Sequence, residues 1–186
     1  MSLAAASGVA RLARFQADGL AAFDASPVGL LNALAPWIAF ALVGGGLTLL
    51  GGAPRTAGVD LLASVVALLA PPVLSQSLAQ LLGGASSWLR YAVAATWCQW
   101  MMPPAVLGAL LASGVMIALG VPQSVAETVA GLAALAYALA LHLFLARRGL
   151  ALSFWRALLM VAAVNLGTGI LAFGPLLLAG TWGADG

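Results

Sequence analysis

Five apolar runs, at about 28–50, 60–82, 90–118, 125–146 and 152–179, leave this chain little choice of solvent. A membrane-spanning helix needs ~20 mainly apolar residues, because about 30 Å of hydrocarbon is crossed at ~1.5 Å per residue. Each run is long enough. Backbone N–H and C=O groups in lipid must be satisfied within the chain, which leaves helices or a closed barrel. The runs are Leu- and Ala-rich and do not alternate, so the barrel is excluded. Only 6% of residues are charged and the mean hydropathy is +1.10, against about 25% charged in a soluble domain. The sequence therefore predicts an all-α integral membrane protein, with one five-helix transmembrane domain over 26–182.

A different pattern precedes it. Over residues 3–23, Leu12, Phe15, Leu20 and Phe23 can share an apolar side, while Arg11, Arg14 and Asp18 recur at i, i+3 and i+7. This predicts an N-terminal amphipathic helix within residues 1–25, lying in the interface plane rather than spanning. Its arginines follow an Ala-rich start instead of preceding an apolar run, so it does not read as a signal peptide, and the chain is expected to be unprocessed. Ser26 and Pro27 read as an N-cap and a first helical position.

Charge placement orients the spans. With five crossings the N-terminal side receives Arg11, Arg14, Arg90, Arg147, Arg148 and Arg156, and the opposite side Arg55 alone. Positive charge is retained in the cytoplasm. The expectation is a multi-pass protein of a bacterial inner membrane, N-terminus cytoplasmic and C-terminus periplasmic. The pI near 9.3 reflects this topology and not a nucleic-acid partner.

Two double prolines, Pro71-Pro72 and Pro103-Pro104, fall in the second and third spans. Each proline removes a backbone donor and crowds the turn before it, so both spans should bend, with polar side chains near the bends. Gln76, Gln80, Gln99 and Asn165, with His142 close to the same depth, are the expected intramembrane polar cluster. Interhelical bonds of about 0.6 kcal/mol each account for such a set; a polar pathway is the alternative. Cys98, Met101 and Met102 stand at i, i+3 and i+4 and are the weak candidate for a soft-metal site. Sulfur residues more often fill space. His142 is a weak candidate for axial ligation of haem or a chlorin, with no second ligand in view. Trp88, Trp97 and Trp100, together with Arg11, Arg14, Arg147 and Arg148, are the candidate partner or lipid contacts. No cofactor is expected. No nucleophile–base pair, phosphate-binding loop or paired carboxylate is present, so no enzymatic activity is expected.

The order of parts resembles the Yip1-like family of small five-span membrane proteins, in particular its short bacterial members. The resemblance is carried by FDASPVGLLNAL, the proline-broken PPVLSQSLAQLLGG, the entry WLRYAVAATWCQ and the basic turn LARRGLALSFWRALLMV. It implies five helices, a cytoplasmic N-terminus and no reaction. The longer cytoplasmic region that eukaryotic relatives use with small GTPases has no counterpart here.

The first functional reading is an accessory or assembly subunit that contacts the bilayer and other integral membrane subunits. Small-residue faces at Gly44 to Gly46, at Ala126, Ala130, Ala133 and Ala134, and at Gly167 and Gly169 supply its packing surfaces. The alternatives are a small transporter or channel built on the proline-bent second and third spans, and a cofactor-binding subunit through His142.

Overall fold

The computed structural model describes residues 3–51 and 57–182. Arg55 and the tail beyond Trp182 lie outside the described residues. The chain is all-α. A short helix, α1 (Leu3–Leu12), and a 3-10 turn (Ala17–Ala22) precede α2 (Pro27–Leu50) and α3 (Ala57–Leu82). The third crossing is divided into α4 (Trp88–Cys98), a 3-10 turn (Gln99–Met101) and α5 (Met102–Ala118). Then follow α6 (Gln123–Gly149) and α7 (Phe154–Trp182). Five segments are long and apolar enough to cross a membrane: Pro27–Thr48, Leu61–Leu82, Ala85–Ala118, Gln123–Gly149 and Phe154–Gly174. The protein is a multi-pass membrane protein.

The local chemistry explains the boundaries. The backbone N–H of Gly29 donates to Ser26 Oγ at 3.0 Å, and that of Leu30 to the Ser26 carbonyl, so Ser26 caps α2 with Pro27 opening it. α3 and α5 each end on a glycine with positive φ, Gly83 and Gly120. The following N–H reaches back five residues, from Gly84 to Ala79 and from Val121 to Met116, which closes each helix with a Schellman turn.

The N-terminal segment is shorter in helix than expected. Phe15 stands at φ 60°, a region costly for a bulky residue, and reverses the chain. The two pieces then pack back to back through glycine. A Cβ at Gly8 would stand 2.7 Å from Ala22 Cβ, and one at Gly19 would stand 2.8 Å from the Gly8 carbonyl oxygen. Ala5, Val9, Leu12, Leu20 and Phe23 are buried in the core. Their apolar faces therefore cover the chain's own bundle. Arg11 pairs with Asp18 at 3.1 Å across the reversal.

α4 is the centre of the bundle. It packs against α1, α2, α3 and α6, and Tyr91 to Ala94, Thr96 and Cys98 are buried. α3 lies along α7, and α2 along α3. α5 packs against α6 and the turn before it, and Ser113 is its buried residue. The ends of α3, α6 and α7 meet beside α4: Gly84 abuts Leu150, Gly149 abuts Tyr91, and Arg156 donates to the Leu82 carbonyl at 3.5 Å. Arg90, Arg147, Arg148 and Arg156 thus gather at one end of the bundle.

The proline pairs behave differently from each other. Pro71 and Pro72 sit inside α3, which continues through them. Pro103 and Pro104 occupy the first turn of α5, where the N–H they lack has no helical acceptor anyway. The 3-10 turn at Gln99–Met101 absorbs the change. The third crossing therefore tightens for one 3-10 turn before its proline pair, within a single helical span.

Candidate functional site

Four helices and the 3-10 turn line a cavity of about 340 Å³. Three of the helices present a short stripe at helical spacing. α3 contributes Ala67 and Pro71; α4 contributes Tyr91 and Ala95, continued by Gln99 in the turn; α7 contributes Val161, Asn165, Thr168, Gly169 and Ala172. His142 enters from α6. From Phe154 to Asn165 the helix rises about 16 Å, close to half the ~30 Å hydrocarbon thickness. The cavity sits about midway along the apolar span of α7.

Its polar groups are poorly satisfied. His142 Nδ1 and Thr168 Oγ1 are buried and without a hydrogen-bond partner. Asn165 Nδ2 donates to the Val161 carbonyl at 2.8 Å, which leaves its own oxygen and a second N–H. No hydrogen bond joins the side chains of Gln99 or Tyr91 to another described residue. Pro71 supplies no N–H to the Ala67 carbonyl one turn back. Leaving a buried polar group unpaired costs about 1–3 kcal/mol, and both residues stand in the wall of this cavity. At roughly 30 Å³ per water the volume holds on the order of ten waters, or one small solute.

The structure divides the expected polar cluster. Gln99, Asn165 and His142 meet. Gln76 and Gln80 are exposed, and Gln76 lines a separate pocket near Trp88 and Arg90. The reason is register. Ser75 and Ala79 form the inward rung of α3, so the glutamines one position later turn outward. Ser75 Oγ donates to the Pro72 carbonyl at 2.9 Å and accepts from Trp88 Nε1 at 3.1 Å. Thr168 and Tyr91 were not expected at the site. Thr168 follows Asn165 by three positions and Tyr91 precedes Gln99 by eight, spacings that place each on its neighbour's face.

The other candidates lie outside this cavity. Cys98 is buried in the core, while Met101 lines an apolar groove between α5 and α6 with Pro104, Ala109 and Tyr137. Met101 and Met102 both pack against the buried core that contains Cys98. Among the described residues no group of three or more His, Cys, Asp or Glu side chains converges. The cavity is small for a tetrapyrrole beside His142: about 340 Å³ lies at the small end of the ~300–1,000 Å³ ligand range. Trp97 packs on the core. Trp100 lies over Trp37 with centroids 4.6 Å apart and meets Phe40 edge-on at 5.7 Å. Both indole N–H groups of that pair are buried without an acceptor. Arg147 lies 5.7 Å from the Phe154 ring, and Arg14 and Arg148 are exposed.

No protein-family model matches the chain, and no curated protein or solved structure matches it.

Proposed function

We propose that this membrane protein takes up a small, uncharged, polar solute in the cavity between α3, α4, α6 and α7, and serves as its carrier or channel. The observation that carries the reading is that His142, Thr168, Gln99 and Asn165 line one cavity, while His142 Nδ1 and Thr168 Oγ1 are buried without a hydrogen-bond partner. Among the described residues, no Asp, Glu, Lys or Arg lines it. A charged solute would sit there uncompensated, at high cost in a low dielectric. A neutral molecule bearing both donors and acceptors, such as a short amide or polyol, matches imidazole, hydroxyl and carboxamide groups. The reading is non-catalytic, which agrees with the Yip1-like order of parts. The arginine-bearing end faces the cytoplasm of a bacterial inner membrane in this reading.

Liposome swelling tests it. Protein reconstituted with urea or glycerol outside should equilibrate the solute faster than protein-free vesicles. Thr168→Val together with Asn165→Leu should bring the rate back to the vesicle background. Background rates for the unmodified protein across small amides and polyols contradict the reading.

A second reading, the accessory subunit, rests on a different observation. Gly45 and Gly167 are filled from within by Leu61 and Leu74, and Ala126 and Ala130 are buried. Gly44 and Gly46 on α2 have nothing within 4 Å of a Cβ position. That face of α2 is open to close approach by a helix of another subunit. Gentle extraction followed by native mass spectrometry distinguishes a heteromer from a lone chain.

A further inference from the structure

At the arginine-bearing end lies a second pocket, of about 630 Å³, between the start of α2, the last turns of α3 and the start of α4. Its lining is mixed in character. Its polar lining residues are Arg90, Ser86, Ser87 and Gln76. Its apolar lining includes Leu30, Leu31 and Trp88, whose indole N–H is held by Ser75 Oγ.

Among the described residues Arg90 makes no ion pair. Asp18 is paired with Arg11, and Asp24 Oδ2 accepts the Ser26 hydroxyl at 2.7 Å. Asp60 belongs to the opposite end of α3, and Glu127, which accepts from Gln123, to the opposite end of α6. The apolar lining also continues outward: Val28 and Leu31 are 62% and 64% exposed on the first turns of a membrane-crossing helix. A cation and hydroxyl donors at the membrane boundary, adjoining an apolar wall that runs into the span, complement an anionic amphiphile.

We infer that this pocket seats the phosphate of an anionic phospholipid headgroup. Arg90 supplies the counter-charge, the Ser86 and Ser87 hydroxyls supply hydrogen bonds, and the acyl chains leave along Leu30 and Leu31. A guanidinium suits this task because its planar fork can donate two bonds to one phosphate. The inference is independent of the solute cavity, since none of these residues lines it.

Native mass spectrometry of the purified chain, with phosphatidylglycerol or phosphatidylcholine added in equal amounts, tests it. The unmodified protein should retain one phosphatidylglycerol in preference to phosphatidylcholine. Arg90→Gln should weaken that retention roughly fivefold to tenfold, the loss expected for one basic contact near the surface. Arg90→Lys should keep part of the preference, and Arg147→Gln all of it. Where Arg90→Gln does not fold, Ser86→Ala with Ser87→Ala carries the comparison, again with weaker retention expected. Equal retention of both lipids overturns the inference. So does unchanged retention in the variants, or inorganic phosphate alone displacing the lipid, which would mark a site for a soluble anion.

Discussion

α4 and α5 belong to one membrane crossing, yet they live in different surroundings. Both are alanine-rich and apolar. α4 buries six of its residues and touches four other helices. α5 buries Ser113 and exposes Val106, Leu107, Leu110, Leu111 and Val115. In water such an exposed surface would drive aggregation; in lipid it is the ordinary outer face of a span. Apolar content therefore reports that a helix crosses a membrane, and says little about which helix is the hub. The border between the two regimes is the 3-10 turn before Pro103-Pro104, and Gln99 on that turn reaches the cavity.

A matched pair of substitutions should show this contrast most strongly. Ala94 is fully buried, so Ala94→Leu should overpack the hub at a cost of about 1–3 kcal/mol. Ala112 on α5 is exposed, and Ala112→Leu should stay within about 0.5 kcal/mol of the parent. Unfolding titration in mixed detergent micelles reads both, and equal losses would erase the distinction between hub and periphery.

The proline pairs should differ in sign. Pro103→Ala with Pro104→Ala removes rings already suited to a first helical turn, and should cost about 0.4–1 kcal/mol per site through the entropy of the unfolded chain. Pro71→Ala restores an interior donor to the Ala67 carbonyl, so α3 should gain stability while the cavity loses an acceptor and solute flux falls. The same titration and the swelling assay measure the two halves of that statement. The smallest effect should come from Leu110→Ala, a lipid-facing truncation that leaves no cavity and shifts stability by less than about 0.5 kcal/mol.

Much of this was legible in the residues. The five spans follow from run length and charge, because a bilayer imposes one dominant constraint on every segment. Ser26 and Pro27 announced their cap. The N-terminal hairpin was not legible, since Leu12, Leu20 and Phe23 satisfy one helical stripe as well as two packed pieces. Only the close approach at Gly8 and Gly19 decides between them. The polar cluster was half legible. Gln99, Asn165 and His142 were found from depth alone, but depth does not give rotation about a helix axis. That rotation turns Gln76 and Gln80 outward and Ser75 inward. Thr168 was hidden because a threonine in a span is usually satisfied by the carbonyl one turn back, as Thr96 is by Ala92 at 2.8 Å.

The central claim is that polar groups of α4, α6 and α7 meet in a solvated cavity midway along α7. Cysteine accessibility tests it most directly. In a Cys98→Ala background, Thr168→Cys and Ile170→Cys are each exposed, in proteoliposomes, to a small water-borne thiosulfonate. Thr168 lines the cavity, whereas Ile170 is 70% exposed on a lipid-facing side of the same helix. The account predicts rapid modification at 168 and none at 170. Protection of both positions would contradict it, leaving His142, Asn165 and Thr168 as helix-packing residues alone.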